Sequence, residues 1–209
     1  MTIGIIGAGN VGGTLGRCWA KLGHQVVFGS REPSADDVKQ LLAASGATAR
    51  AASLKEAAQA GEVLALATPW PVTEEILRGL GDLTGKILID ATNPLTRNFE
   101  LEYGTTASGA EKVAQWAHGA KVVKAFNTVG YNIMASPAFG SDRAVMFYCS
   151  DDSIAKQTVK PLVEGLGFEA VDAGPLKQAR VLEPIALLWI SLAMAQGLGR
   201  EFAFKLIRR

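Results

Sequence analysis

The sequence predicts a doubly wound α/β fold: a mainly parallel sheet with helices on both faces and a short C-terminal helical segment. Short apolar runs alternate with helical periodicities almost from end to end, as in a parallel sheet buried on both sides. A GxGxxG spacing, Gly7, Gly9 and Gly12, falls between the first apolar run and the first amphipathic stretch. At 209 residues, 48% hydrophobic and 20% charged, the chain has room for one domain over 1–209 with a well-buried core, but hardly for two.

The apolar runs predict strands at Ile3 to Ile6, Gln25 to Phe28, Val63 to Ala67, Ile87 to Ala91, Val122 to Phe126, Ala144 to Cys149 and Glu169 to Asp172, all in one open sheet. Between the first two, Val11, Leu15, Cys18, Trp19 and Leu22 share one face of a helix. Ser53 with Glu56, and Ser108 with Glu111, have the spacing of a capping box, in which each side chain satisfies the other residue's backbone N–H. Pro71 suits the first turn of a helix carrying Val72, Ile76, Leu77 and Leu80. A later helix, from near Asp152 and carrying Ile154, Val159, Leu162 and Val163, contains Pro161, which should kink or divide it. The long irregular stretch Asn93 to Ser108 is expected near the functional site, as long loops in compact domains usually are. About 176 to 209 forms the terminal helical segment.

Lys plus Arg number 21 against 20 Asp plus Glu, a balance that favours neither nucleic acid nor a membrane surface as partner. Cys18 and Cys149 lack the close spacing of a zinc site or redox dithiol and read as reduced core residues. No metal site is expected. The amino terminus runs directly into a strand, so a cytoplasmic protein is expected. Pro184 to Gly199 is apolar, but it contains Ser191 and Gln196 and is bracketed by charges. A buried or interface helix is expected there, not a membrane span.

The three glycines have separate tasks in a Rossmann-type dinucleotide site. Gly7 makes the tight turn, Gly9 lets a pyrophosphate approach the backbone, and Gly12 lets the helix pack on the strand. The anion would lie on the free N–H groups of that helix. About 20 residues further on, such folds place an acid on the adenosine ribose. This chain has Ser30 and Arg31 there: a hydroxyl donor and a planar charged fork suited to a 2′-phosphate, which points to NADP. Glu32, one position later, is the counter-argument.

The carboxyl ends of the central strands, Ala67 to Pro71, Asp90 to Leu95 and Phe126 to Gly130, are rich in Asn, Thr and Pro and poor in acids, bases and nucleophiles. His24 and His118 precede their strands, at the wrong end of the sheet, and Lys124 lies within a strand. No catalytic side chain is expected. Hydride transfer between two rings needs none, because the cofactor carries the chemistry and the protein positions it.

The segments "GIIGAGNVGGTL", "GHQVVFGSR", "TPW", "GKILIDATNPL", "VVKAFNTV" and "DAGPLKQARVLEP" span nearly the whole chain in order. In them the sequence resembles the NADPH-dependent reductases of the deazaflavin coenzyme F-420, and the similar nucleotide-binding domain of the six-transmembrane metalloreductases. The resemblance implies that Gly7, Ala8, Gly9, Asn10, Val11 and Gly12 hold the pyrophosphate and that Ser30 and Arg31 bind the 2′-phosphate. It also implies that Thr68, Pro69 and Trp70 lie beside the nicotinamide, and that Asn93, Asn127 and Thr128 border the crevice between the rings. The terminal segment would help form the acceptor pocket or the contact of a homodimer. Two departures are visible: Ala35 stands near the place of a basic residue in the archaeal members, and "NTVG" replaces their "HTIP" type. With no membrane domain following the sequence, a soluble small-molecule acceptor is expected: F-420, a free flavin (FMN or FAD), or a ferric chelate reduced through a flavin. Two alternatives stay open, a reductase of imino or keto acids and a non-catalytic NADPH-binding module.

Overall fold

The computed structural model describes residues 1–209. Its centre is a six-stranded, all-parallel sheet in the order β3-β2-β1-β4-β5-β6. The strands are β1 (Thr2–Ile6), β2 (Gln25–Gly29), β3 (Ala49–Ala52), β4 (Val63–Leu66), β5 (Ile87–Asp90) and β6 (Lys121–Lys124). Helices α1 (Asn10–Lys21), α2 (Asp36–Ser45), α3 (Leu54–Ala60), α4 (Trp70–Gly79) and α5 (Gly109–Trp116) form the crossovers. The chain continues through α6 (Tyr131–Ala135), the two-residue strands β7 (Ala138–Phe139) and β8 (Asp142–Arg143), β9 (Val145–Tyr148), α7 (Ser153–Gly165) and β10 (Glu169–Asp172). It closes with α8 (Ala179–Ile190), which runs into a π-helical turn over Ser191–Ala195.

The pleat sends alternate residues of each strand to opposite faces, and each face has its own core. Ile3, Ile5, Trp19, Phe28, Ile89 and Phe168 belong to a cluster of 26 buried residues on one side. Ile6, Val27, Leu64, Leu66, Leu88 and Leu182 belong to one of 20 on the other. The Trp19 indole N–H donates to Leu162 O at 3.2 Å and ties α1 to α7.

Register aligns the carboxyl ends. Gly29 pairs with Ile6, Ile6 with Leu66, Leu66 with Asp90, and Asp90 with Lys124. The strand order reverses between β1 and β4, which opens the crevice where such sheets bind ligands. The loops beginning at Gly7, Ser30, Ala67, Ala91 and Ala125 therefore share one edge.

The expected fold class holds, with four corrections of detail. The sheet has six strands, not seven: β9 and β10 pair with each other in parallel and join β6 only through an antiparallel bridge between Lys124 and Cys149. Strand β3 was not expected, because "ARAA" carries none of the β-branched or aromatic residues that mark strands. Helix α7 runs undivided through Pro161, since Pro161 and Gln157, whose carbonyl loses its partner, are both exposed and water can replace the bond. The capping box at Ser53 and Glu56 is complete. At Ser108 the hydroxyl accepts from Glu111 N–H but the return bond to Ser108 N–H is missing, the Glu111 carboxylate being engaged by the Arg180 fork.

Leu176–Ala195 has the length and apolarity of a membrane-crossing helix. Near its middle, however, Glu183 is only 1% exposed and packs onto the sheet and α5.

Candidate active site

The turn after β1 follows from steric detail. Gly7 has φ +106°, and a Cβ there would lie 2.8 Å from Ala67 O. A Cβ on Gly12 would lie 1.9 Å from Gly7 O, so the helix could not sit this close to the strand. A Cβ on Gly9 would meet nothing within 4 Å. Protein packing thus leaves free the space beside Gly9 into which a bound group would come. No side chain caps the amino end of α1 and no acid lies in its first turn. Its backbone donors and positive dipole end face that space unopposed, and they fit a pyrophosphate.

Adjoining it is a pocket of about 390 Å³ lined by the phosphate loop (Gly7, Ala8, Gly9), the end of β2 (Gly29, Ser30, Arg31), and Thr68 and Pro69 after β4. Asp37 and Val38 of α2, and Val72, Glu75 and Ile76 of α4, complete it with Leu54. Val72, on the helix that Pro71 opens, is 38% exposed and supplies apolar wall. The Ser30 hydroxyl accepts from Glu32 N–H at 3.1 Å, which folds the turn and leaves its own proton free to donate. Arg31 is exposed and forms no ion pair or hydrogen bond within the chain, so its guanidinium is available to an anion. Glu32 does not line the pocket. The residues present therefore fit the adenosine half of NADP.

Thr68 and Pro69 reach this pocket; Trp70 is turned behind them. Its side chain is 8% exposed and packs 5.3 Å from the Trp116 ring and edge-on to Tyr103 at 6.0 Å, with its indole N–H donating to Glu102 at 2.7 Å. Trp70 thereby pins the loop between β5 and α5. Burial, with Glu102 beside it, pushes the Tyr103 phenol up to about 12.

On the other side of the switch point the crevice is bordered by amides. Asn93 Nδ2 donates to Asn127 O at 3.1 Å, and Asn127 Nδ2 donates to Asn93 Oδ1 and to Leu182 O, each at 3.2 Å. The chain enters this pair through Phe126, which is held in the left-handed region at φ 65° with its ring between Trp19 and Phe168. For a bulky residue that conformation is strained, and such strain collects at functional sites. Asn127 Oδ1 is buried without a partner, and Thr128 beside it is 1% exposed.

Below these amides lies a charge cluster that sequence reasoning missed. Lys124 Nζ is 2.9 Å from Asp90 Oδ2, 3.2 Å from Glu183 Oε1 and 2.6 Å from Thr92 O, with all three charged side chains at most 1% exposed. Asp90 Oδ1 accepts from the Thr92 N–H and hydroxyl. Glu183 accepts from the N–H groups of Gly109 and Ala110, at the amino end of α5. Burial alone would lower the Lys124 ammonium's pKa, but the paired carboxylates Asp90 and Glu183 outweigh it and hold it raised. Each charge is consumed by its neighbours, which leaves none to exchange protons with a substrate. The cluster fixes Thr92, next to Asn93, and Glu183, next to Leu182, and so sets both supports of the amide pair.

Comparison with known proteins agrees with this architecture. The family model described as "NADP oxidoreductase coenzyme F420-dependent" matches residues 2–94. The F420-dependent NADP reductase of Methanocaldococcus jannaschii is 30% identical over 207 residues, covering 92% of each chain, and that of Methanothermobacter marburgensis is 31% identical over 211 residues with the same coverage. Metalloreductase STEAP3 of Rattus norvegicus is 31% identical over 186 residues; the match takes in 88% of this chain but 36% of that protein. A crystal structure from Arthrobacter sp. FB24, assigned provisionally as an F420-dependent NADP reductase, superposes with a TM-score of 0.89 over 99% of both chains at 32% identity. An imine reductase from Bacillus cereus shares the fold at a TM-score of 0.70 and 21% identity, across 63% of its length.

Proposed function

The chain belongs to the family of F420-dependent NADP oxidoreductases, and from that premise we propose that it moves a hydride between NADP(H) and a deazaflavin, coenzyme F-420, or a flavin-type acceptor. The observation that carries the cofactor half of the reading is the unpaired Arg31 guanidinium beside the free Ser30 hydroxyl, in the same pocket as the open face of Gly9. When bound, the nicotinamide supplies the hydride and needs a positioned partner ring more than an acid or base.

In this reading the backbone N–H groups at the start of α1 hold the pyrophosphate, while Ser30 and Arg31 hold the 2′-phosphate. Thr68 and Pro69 support the nicotinamide side of the dinucleotide. Asn93 and Asn127 present amide edges to the rings and keep their own geometry through each other and Leu182 O. The absence of an accessible acid, base or nucleophile in this amide set supports hydride transfer over hydrolysis or acyl transfer. The apolar outer face of α8, with Val181 and Leu188 more than half exposed, supports a homodimer.

The reading is tested by titrating NADPH and NADH, then mixing the NADPH complex with F-420, FMN, FAD or a ferric chelate and following absorbance. Preferential NADPH binding and oxidation by one of these supports it. Tight NADPH binding without turnover would leave a binding module.

A further inference from the structure

The adenosine pocket contains an acid for which the cofactor reading has no use. Asp36 and Asp37 open α2. Asp36 spends its charge on Lys39, at 2.8 Å across the exposed helix surface. Asp37 has no cation within ion-pair distance; its Oδ1 accepts from Val38 N–H at 2.9 Å, and Oδ2 is without a partner. Asp37 lines the pocket of about 390 Å³ that also holds Ser30 and Arg31, and Glu75 lines it from α4. One cation and two carboxylates thus line the pocket in which the adenosine ribose would lie on that reading.

In a pocket of that size the charges interact within about one Debye length, roughly 10 Å at 0.1 M salt. A 2′-phosphate brings about −1.5 to −2 charges, attracted by Arg31 and repelled by Asp37. A ribose without that phosphate offers hydroxyl donors, for which a carboxylate is the ordinary acceptor in this fold. The same side chain therefore acts in opposite directions on the two dinucleotides.

Given the NADP reading above, we infer that Asp37 is a specificity-determining residue: it restrains the preference for NADPH over NADH that Arg31 creates. It repels the 2′-phosphate when that group is present and accepts from the ribose hydroxyls when it is absent. Asp37 also lines the adjoining groove with Arg17 and forms no ion pair with it, so its charge stays uncompensated and makes the phosphate seat weaker than Arg31 alone would.

The test is dissociation constants for NADPH and NADH, by calorimetry, on wild type, Asp37→Asn, Asp37→Lys and Glu75→Gln. Asp37→Asn is expected to raise the NADPH-to-NADH affinity ratio about tenfold, and Asp37→Lys further, with the gain shrinking as salt is added. A ratio unchanged within about twofold in Asp37→Asn overturns the inference whatever Asp37→Lys shows, because a lysine adds a cation of its own. So does an equal shift in Glu75→Gln, which would reduce the effect to the pocket's total charge. Failure of the wild type to bind either dinucleotide would instead strike at the cofactor reading itself.

Discussion

Lys124 and Glu183 meet at 3.2 Å with neither side chain more than 1% exposed, joining the edge of the parallel sheet to the C-terminal helix. Removing one partner leaves the other charge buried and uncompensated. Glu183→Gln and Lys124→Met are each expected to cost about 3–5 kcal/mol in urea unfolding, and the double variant less than their sum. Additive losses would mean that the two residues do not act as a unit.

Stability should fall on the alkaline side. The Lys124 ammonium is held above its ordinary 10.5, the Tyr103 phenol is pushed from 10.0 to about 12, and burial pushes the Cys149 thiol from 9.0 to about 12. A group whose folded value is raised contributes stability that is complete below its unfolded value and is lost as pH rises toward the folded one. The unfolding free energy is expected to be insensitive to these groups below about pH 9 and to decline from there toward pH 12. Chemical denaturation between pH 8 and 11 checks this; Cys149→Ala should make the decline shallower, with the raised Cys18 thiol keeping its onset near pH 9.

Asn127 is expected to govern transfer and not cofactor affinity, because its side chain supports the crevice and lies outside the adenosine pocket. Asn127→Ala should slow hydride transfer on the order of a hundredfold through misplacement of the rings, with NADPH affinity changed less than about threefold. Stopped-flow single turnovers beside equilibrium titration separate the two quantities.

Val181 is 54% exposed and Leu188 51% exposed on α8, seven positions apart and so on one helix face. If that face meets a second copy, light scattering should find a dimer that Leu188→Glu converts to monomer. A monomeric wild type would remove the dimer from the proposal.

The proposed nucleotide half of the candidate site is legible in the sequence because its chemistry is local. Gly7, Gly9, Gly12, Ser30 and Arg31 lie in two short segments whose spacing is dictated by one turn and one crossover. The crevice half was legible only as composition. Asn93 and Asn127 could be placed at strand ends, but their mutual hydrogen bonds depend on the sheet register. The cluster of Asp90, Lys124 and Glu183 was not read, because a lysine in a short strand ordinarily points to water and its partners lie on two other elements. A signal existed in Glu183, an acid inside an otherwise apolar helix, which demands a partner once that helix is buried. The resemblance implies Trp70 beside the nicotinamide; which way its ring faces is a matter of packing that sequence does not carry, and the start of α4 turns it toward Tyr103 and Trp116.

The central claim is direct hydride transfer from NADPH to a ring acceptor, and a single turnover with NADPH carrying deuterium at both nicotinamide C4 positions tests it most directly. With F-420 in excess, the expected result is one deuterium on the deazaflavin carbon per NADPH oxidised, with a slower rate for the deuterated cofactor and weakened NADPH binding in Arg31→Ala. Tight NADPH binding with no deuterium in F-420, and no oxidation by FMN, FAD or a ferric chelate, would contradict it.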